Sequence, residues 1–256
     1  MRTLSLLVLG TTVALAAPSK ADRCSLIRHN NNYDDEKFVT ALPLVNPIGV
    51  YNGVKYDNFA GVDTQTASAD LNILEPPSKP NVLVTGFEQQ LLKNGSISNG
   101  IASMTTVFND APRPYMNVHD LNLACFANDA ASGINVPIIC DVTMRSYVNG
   151  TMKGEQKIHY DPHLRTDPKV SRVPPLVANL TRFYLEDPNF CDIDTLTLVV
   201  EGGATNLKET LGSVKDIETV KGIKNLRRGN YENDELPLPK LLVAAAIDNV
   251  NVTLHC

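Results

Sequence analysis

The sequence predicts a mainly β chain, a jelly-roll-like β-sandwich, on three observations. Apolar residues alternate with polar ones over many short runs, Asn-Gly pairs punctuate those runs, and helical spacing is confined to one charged stretch near the C-terminus. Alternation of period two gives a strand one apolar and one polar face, which is what a half-buried sheet needs. Many such runs separated by turns build a sandwich rather than a helical or α/β fold.

Taken in order, the chain opens with Met1-Arg2 and an apolar run over 4–15, closed by Ala14-Leu15-Ala16 in the small-x-small form of a signal-peptidase site. Residues 1–16 are therefore expected to be a signal peptide, with cleavage after Ala16 or Ala17, and 17–256 to form a single β-sandwich domain. The apolar run is shorter than the roughly 20 residues a bilayer requires, and no later run reaches that length, so no membrane span is expected.

Strands are expected at 48–56, 81–84, 101–108, 116–126, 138–148, 153–160, 176–185 and 195–200. Tyr51-Asn52-Gly53, Asn94-Gly95, Asn99-Gly100 and Val148-Asn149-Gly150 supply the turns. The run 241–247 reads as a buried strand bounded by Pro239 and by Asp248-Asn249, and Val250, Val252 and Leu254 alternate after it, which turns Asn251 and Thr253 outward. An insertion at about 204–236 is dense in charge and places Leu207, Leu211, Val214 and Ile217 near helical spacing. It is expected to hold a short helix, with Arg227-Arg228 in an exposed loop.

Asn94, Asn149, Asn179 and Asn251 each head an N-x-S/T acceptor, and behind a signal peptide they imply an N-glycosylated, secreted, extracellular protein. The five cysteines have no C-x-x-C spacing, so they point to disulfides rather than to zinc or a redox motif. Cys125 shares the apolar parity of Leu121 and Leu123, and Cys140 that of Ile138, Val142 and Met144, so these two are expected to pair across the core. Cys191 with Cys256 is the expected second bridge and Cys24 with Cys256 its competitor.

A net charge of −5 leaves no basic patch for nucleic acid. No Gly-x-Ser-x-Gly elbow is present, and Pro162 denies His159 and His163 the helix that would align them. Cleavage exposes alanine or proline, not the N-terminal histidine of a copper oxygenase. His119 shares parity with Leu121 and is expected to face the core as a satisfied histidine. The binding candidates are tyrosines near loops, Tyr33, Tyr51, Tyr56, Tyr115 and Tyr231, with Tyr51 and Tyr56 preferred because they bracket the Asn52-Gly53 turn.

Tyr33-Asp34-Asp35, the segment 50–59, the strand 121–126, the segment 137–150 and Ile247-Asp248-Asn249-Val250, in that order, resemble a family of fungal secreted β-sandwich proteins of mostly unassigned function, similar in architecture to carbohydrate-binding modules. The resemblance implies a structural calcium held by Asp34 or Asp35 together with Asp248, an ion whose oxygen-rich shell such carboxylates suit. It also implies a non-catalytic protein binding a polysaccharide or cell-surface glycan. The rivals are a carbohydrate-active enzyme, hydrolase or lyase, whose paired acids the sequence gives no means to choose, and a secreted effector binding a host protein through the charged insertion. Family members more often carry tryptophan where this chain has Lys55 or Tyr56, and this chain has no tryptophan.

Overall fold

The computed structural model describes residues 26–38, 46–64, 74–86, 101–111, 113–129, 134–163, 165–166, 176–185, 188–201 and 241–256. These residues form a β-sandwich, and no α-helix occurs among them. The strands are β1 (Ile27–Asn31), β2 (Asn46–Tyr51), β3 (Val54–Asp63), β4 (Leu74–Glu75), β5 (Asn81–Thr85), β6 (Ala102–Thr105), β7 (Tyr115–Asp129) and β8 (Ile134–Pro137). They continue with β9 (Cys140–Val148), β10 (Thr151–Tyr160), β11 (Arg165–Thr166), β12 (Leu176–Asn179), β13 (Thr181–Tyr184), β14 (Thr195–Glu201) and β15 (Leu241–His255).

One large antiparallel sheet runs β10-β9-β14-β6-β3-β5-β15-β7-β13, with β1 added to β15, β2 to β3 and β8 to β7. A small sheet, β11-β12-β4, is separate in its strand pairing and contains the parallel pair β12 with β4. The large sheet curls until its two ends meet. Gln156 on β10 donates from Nε2 to the Tyr184 carbonyl on β13 at 3.2 Å, and the Tyr160 hydroxyl of β10 ties the small sheet to the large one by donating to the Asn179 carbonyl of β12 at 3.2 Å.

The core fills the space between the two halves. Met104, Val142, Met144, Leu196 and Leu198 come from one side, and Leu83, Leu121, Leu123, Ile247 and Val252 from the other, all buried. Each such side chain contributes about 1.5–3 kcal/mol through burial. Cys125 and Cys140 form the expected disulfide with Cα atoms 6.1 Å apart, joining β7 to β9.

Both Asn-Gly hairpins, β2–β3 and β9–β10, have the turn their residues require. Asn52 and Gly53 have φ of 48° and 78°, and Asn149 and Gly150 have 50° and 74°, the left-handed pairs of a two-residue loop matched to strand twist. Two boundaries differ from expectation. Asp248-Asn249 does not end the last strand, because Asn249 takes a φ of 48° and a bulge carries β15 through to His255. The run 176–185 breaks at Leu180 into β12 and β13.

Two sequence expectations are corrected. Cys191 carries a free thiol, so it does not bridge to Cys256; Cys256 is disulfide-bonded, and its competing partner Cys24 lies outside the described residues. His119 does not face the core. Val118 pairs with Val252 and Asp120 with Asn251, which leaves His119 as the extra residue of a bulge and shifts the parity read from Leu121. The signal peptide at 1–16, Asn94, the insertion at 204–236 with Arg227-Arg228, and Tyr231 also lie outside the described residues.

Candidate functional site

Tyr51 and Tyr56, the preferred binding tyrosines, are interior residues, 7% and 3% exposed. The hairpin they bracket folds onto β1 and the following turn, so both rings pack on Tyr33, with centroids 5.2 and 5.7 Å away. Their hydroxyls are committed as well. Tyr56 accepts from Asn31 Nδ2 at 2.8 Å and from the Tyr33 hydroxyl at 3.2 Å, while Tyr51 donates to Asp35. Burial pushes the Tyr56 hydroxyl up to about 12 and raises Tyr33 and Tyr51 too. A ring with no exposed face cannot stack on a sugar, so these residues hold the fold together.

The acids expected to bind calcium divide in two. Asp35 is exposed and accepts from the Tyr51 hydroxyl. Asp248 is fully buried, accepting from Ser78 N at 3.2 Å, Ser78 Oγ at 2.9 Å and Asn249 N at 2.7 Å. Burial, with a further push from the charge of Asp34, raises Asp248 to about 7 against these hydrogen bonds. Asp34 accepts from Asn81 N at 3.2 Å, and the buried Asn81 Oδ1 has no hydrogen-bond partner. Among the described residues no three His, Cys, Asp or Glu side chains converge as metal ligands. Two carboxylates and an orphaned amide oxygen nonetheless suit a hard oxygen-seeking cation, so Asp34, Asp248 and Asn81 are the residues that would hold calcium.

The best-built arrangement of exposed polar and aromatic groups lies elsewhere, on the outward face of β13, β7, β15 and β1. Cross-strand pairing sets Tyr115 opposite His255, Asn117 opposite Thr253 and Asp120 opposite Asn251, with Arg28 beside Thr253 and Tyr184 beside Asp120. Met116, Val118, Val252 and Leu254 between them face the core, so the alternation that builds the sandwich also presents this strip.

Asp120 anchors the strip. Its side chain is 4% exposed, and Arg182 grips it through Nε at 2.9 Å and Nη2 at 2.8 Å while Asn251 Nδ2 donates at 2.7 Å. Burial pushes the carboxyl up, but the Arg182 and Asn251 hydrogen bonds outweigh it and hold Asp120 below the usual carboxylate range. A bidentate grip fixes the guanidinium plane, and its Cζ lies 4.9 Å from the centroid of the Tyr184 ring. That ring is 53% exposed. The bulge turns His119 onto Thr253, with Nε2 and Oγ1 2.8 Å apart.

At the far end Tyr115 stacks on His255, centroids 6.1 Å apart, and His255 donates to Asn117 at 2.9 Å and approaches Asp192 at 3.2 Å. There the strip runs into an open cleft of about 470 Å³ lined by Tyr115, Val148, Thr151, Met152, Lys153 and Asp192. Of the tyrosines singled out in the sequence that lie among the described residues, Tyr115 is the one the structure places at such a site. Tyr184 escaped notice because Thr181 to Tyr184 shows no clean alternation, and nothing local signals that Arg182 will meet an acid from a distant strand.

The expected glycosylation sites also separate. Asn149 sits exposed at the β9–β10 tip and Asn179 is exposed at the end of β12, whereas the Asn251 amide is engaged with Asp120.

Among the described residues the carboxyl groups with a clear shift divide, with Asp120, Asp141 and Glu201 lowered and Asp248 raised. Asp141 and Glu201 lie opposite each other on β9 and β14. His159 and then Lys157 lower Asp141, and Lys157 and Thr143 lower Glu201, so both stay ionised. A glycosidase acid needs the opposite shift. Asp248 has that shift, and it is buried beneath Ser78.

No family model matches the chain, and the search of curated proteins found no match. Among solved structures, a DUF4465 family protein from Bacteroides caccae ATCC 43185 is similar at a TM-score of 0.43 and 9% identity, over 88% of this chain and 98% of that one. Likeness that remote assigns no function.

Proposed function

We propose that this chain is a secreted, non-catalytic glycan-binding protein that takes a polysaccharide or cell-surface glycan on the outward face of β13, β7, β15 and β1. The observation that carries the reading is Tyr184, an exposed ring held against a guanidinium that a buried acid has already locked. Sugar rings present flat C–H faces edged with hydroxyls, and a tyrosine matches both with its apolar body and polar tip. Fixing Arg182 and Tyr184 before the ligand arrives spares the ordering cost that weakens most surface contacts. Tyr115, backed by His255, supplies a second platform at the cleft, and the asparagine, threonine and histidine side chains between the two provide donors and acceptors.

The resemblance to fungal secreted β-sandwich proteins favours the same reading, and the leader and sequons expected from the sequence, with the Cys125–Cys140 disulfide, support action outside the cell. Calcium at Asp34, Asp248 and Asn81 would neutralise a buried acid and tie β15 to the β5 region. It is assigned to the scaffold and not to the ligand.

The purified secreted protein should be depleted from solution by at least one of insoluble chitin, β-glucan, cellulose and xylan without releasing reducing ends. Tyr184→Ala and Tyr115→Ala should each weaken the depletion about tenfold, a loss of about 1.4 kcal/mol. Release of sugar would make the protein an enzyme, and depletion untouched by either variant would move the site off this face.

A further inference from the structure

We infer that the saccharide is anionic, a carboxylate-bearing polymer read by Arg182 and Arg28; this rests on the glycan-binding reading above. The inference comes from which charges on the face are spent and which remain. Asp120 is consumed by Arg182 and Asn251, and Asp192, 69% exposed, stands at the cleft end of the strip beside His255, away from both arginines. The arginines are not consumed in the same way. A guanidinium has five N–H donors, and Arg182 commits only Nε and one Nη2 hydrogen to Asp120, leaving its Nη1 edge directed away from that carboxylate. Its side chain remains 49% exposed. Arg28 lies on β1 beside Thr253, exposed, with no hydrogen-bond or ion-pair partner among the described residues.

The surplus is local. The whole chain carries −5, so two uncommitted arginine edges on one face run against the overall balance. The remaining groups there are suited to hydroxyls, including the Asn30–Asn249 pair at 3.1 Å and the His119–Thr253 pair. An uncharged glycan would leave the arginine edges without a specific partner, whereas a uronate carboxylate meets the planar fork of Arg182 in the geometry that favours two parallel hydrogen bonds.

Spacing selects a polymer over a monosaccharide. Arg28 and Arg182 stand on β1 and β13, separated by β15 and β7, which puts them roughly 14 Å apart across the strands at the usual interstrand spacing. Their register adds a comparable offset along the strands, since Arg28 lies level with Asn117 of β7 and Arg182 with Asn122. A single sugar acid reaches one arginine, and a chain of them reaches both while crossing Tyr184.

The test is affinity electrophoresis of the intact secreted protein through polygalacturonate, dextran sulfate, soluble xylan and polyglutamate, at low and high salt. Polygalacturonate should retard the protein most, the retardation should fall as salt rises, and Arg28→Ala and Arg182→Gln should each weaken it about tenfold. Because Arg182→Gln leaves Asp120 buried with one fewer partner and can disturb folding, Arg28→Ala decides the matter. Binding of xylan as strong as that of polygalacturonate, with no effect of Arg28→Ala, overturns the anionic ligand while sparing the glycan reading. Stronger retardation by dextran sulfate overturns the carboxylate assignment. Equal retardation by polyglutamate, insensitive to Tyr184→Ala, reduces the effect to bare charge and overturns the inference. Failure of every polysaccharide to bind, soluble or insoluble, removes both readings together.

Discussion

Replacing Asp248 with asparagine should abolish a pH dependence of stability that runs opposite to the usual carboxylate pattern. Asp248 lies fully buried on β15, and burial together with Asp34 raises it from 3.8 to about 7 despite three donors from Ser78 and Asn249. The native state therefore holds a proton that the unfolded chain gives up at much lower pH. A raised folded value means the contribution is fully present below about pH 4 and is lost as pH rises through about 7. The interval corresponds to about 4 kcal/mol, an upper bound because a buried site relaxes around its charge.

Asparagine mimics the protonated acid in size and in its accepting oxygen, so the variant should be nearly as stable as the natural protein at about pH 4 and more stable by up to about 4 kcal/mol at about pH 8. In a domain this size that is about 10 °C in Tm. Urea titrations of both proteins with chelator present, at those two pH values, measure the difference directly. A stability difference that stays constant to within about 0.5 kcal/mol, or that grows toward acid, refutes the account of Asp248.

Adding calcium at neutral pH should raise the melting temperature of the natural protein and not that of Asp248→Asn, and an unchanged midpoint in the natural protein would remove the cation site. Gly154→Ala should destabilise by about 1–3 kcal/mol, read by urea denaturation, because the new Cβ would lie 2.3 Å from Asn189 Cβ where the Pro188–Phe190 turn crosses β10. Replacing Cys125 and Cys140 together by serine should cost about 3 kcal/mol for opening a loop of sequence separation 15, read by the same titration. Peptide mass spectrometry of the secreted protein should find glycan on Asn149 and Asn179, with Asn251 unmodified because its amide nitrogen is bound to Asp120.

The scaffold was legible where information is local. Alternation located the strands around Leu196 and Val142, Asn-Gly placed two hairpins, and shared parity paired Cys125 with Cys140 across the core. Each of these depends on the period of side-chain direction or on the φ preference of one residue, and both are written in a short stretch of chain. Tyr51 and Tyr56 read as binding tyrosines in the sequence because residue type does not record exposure. A turn that displays its own Asn-Gly tip can bury the residues flanking it, and the hydroxyl partners that make this affordable for Tyr51 and Tyr56 come from Asp35, Tyr33 and Asn31.

The face proposed to bind sugar depends on two features that alternation does not encode. The bulge at His119 adds one residue to β7 against β15, so a parity count back from Leu121 assigns His119 to the wrong side and conceals its meeting with Thr253. Arg182, Asp120 and Asn251 converge from three strands, 131 residues apart at their widest, through sheet order alone. An acid at position 120 looks unremarkable until β13 and β15 are known to flank β7. Once that order is fixed the chemistry is constrained: a carboxylate buried to 4% exposure needs a cation, the cation is held in one plane, and the ring of Tyr184 lies against it. Asp120→Asn with Arg182 left in place therefore separates the two roles of the pair. It should leave the arginine charged but loosened, lowering glycan affinity through lost orientation while charge-driven, salt-sensitive attraction persists.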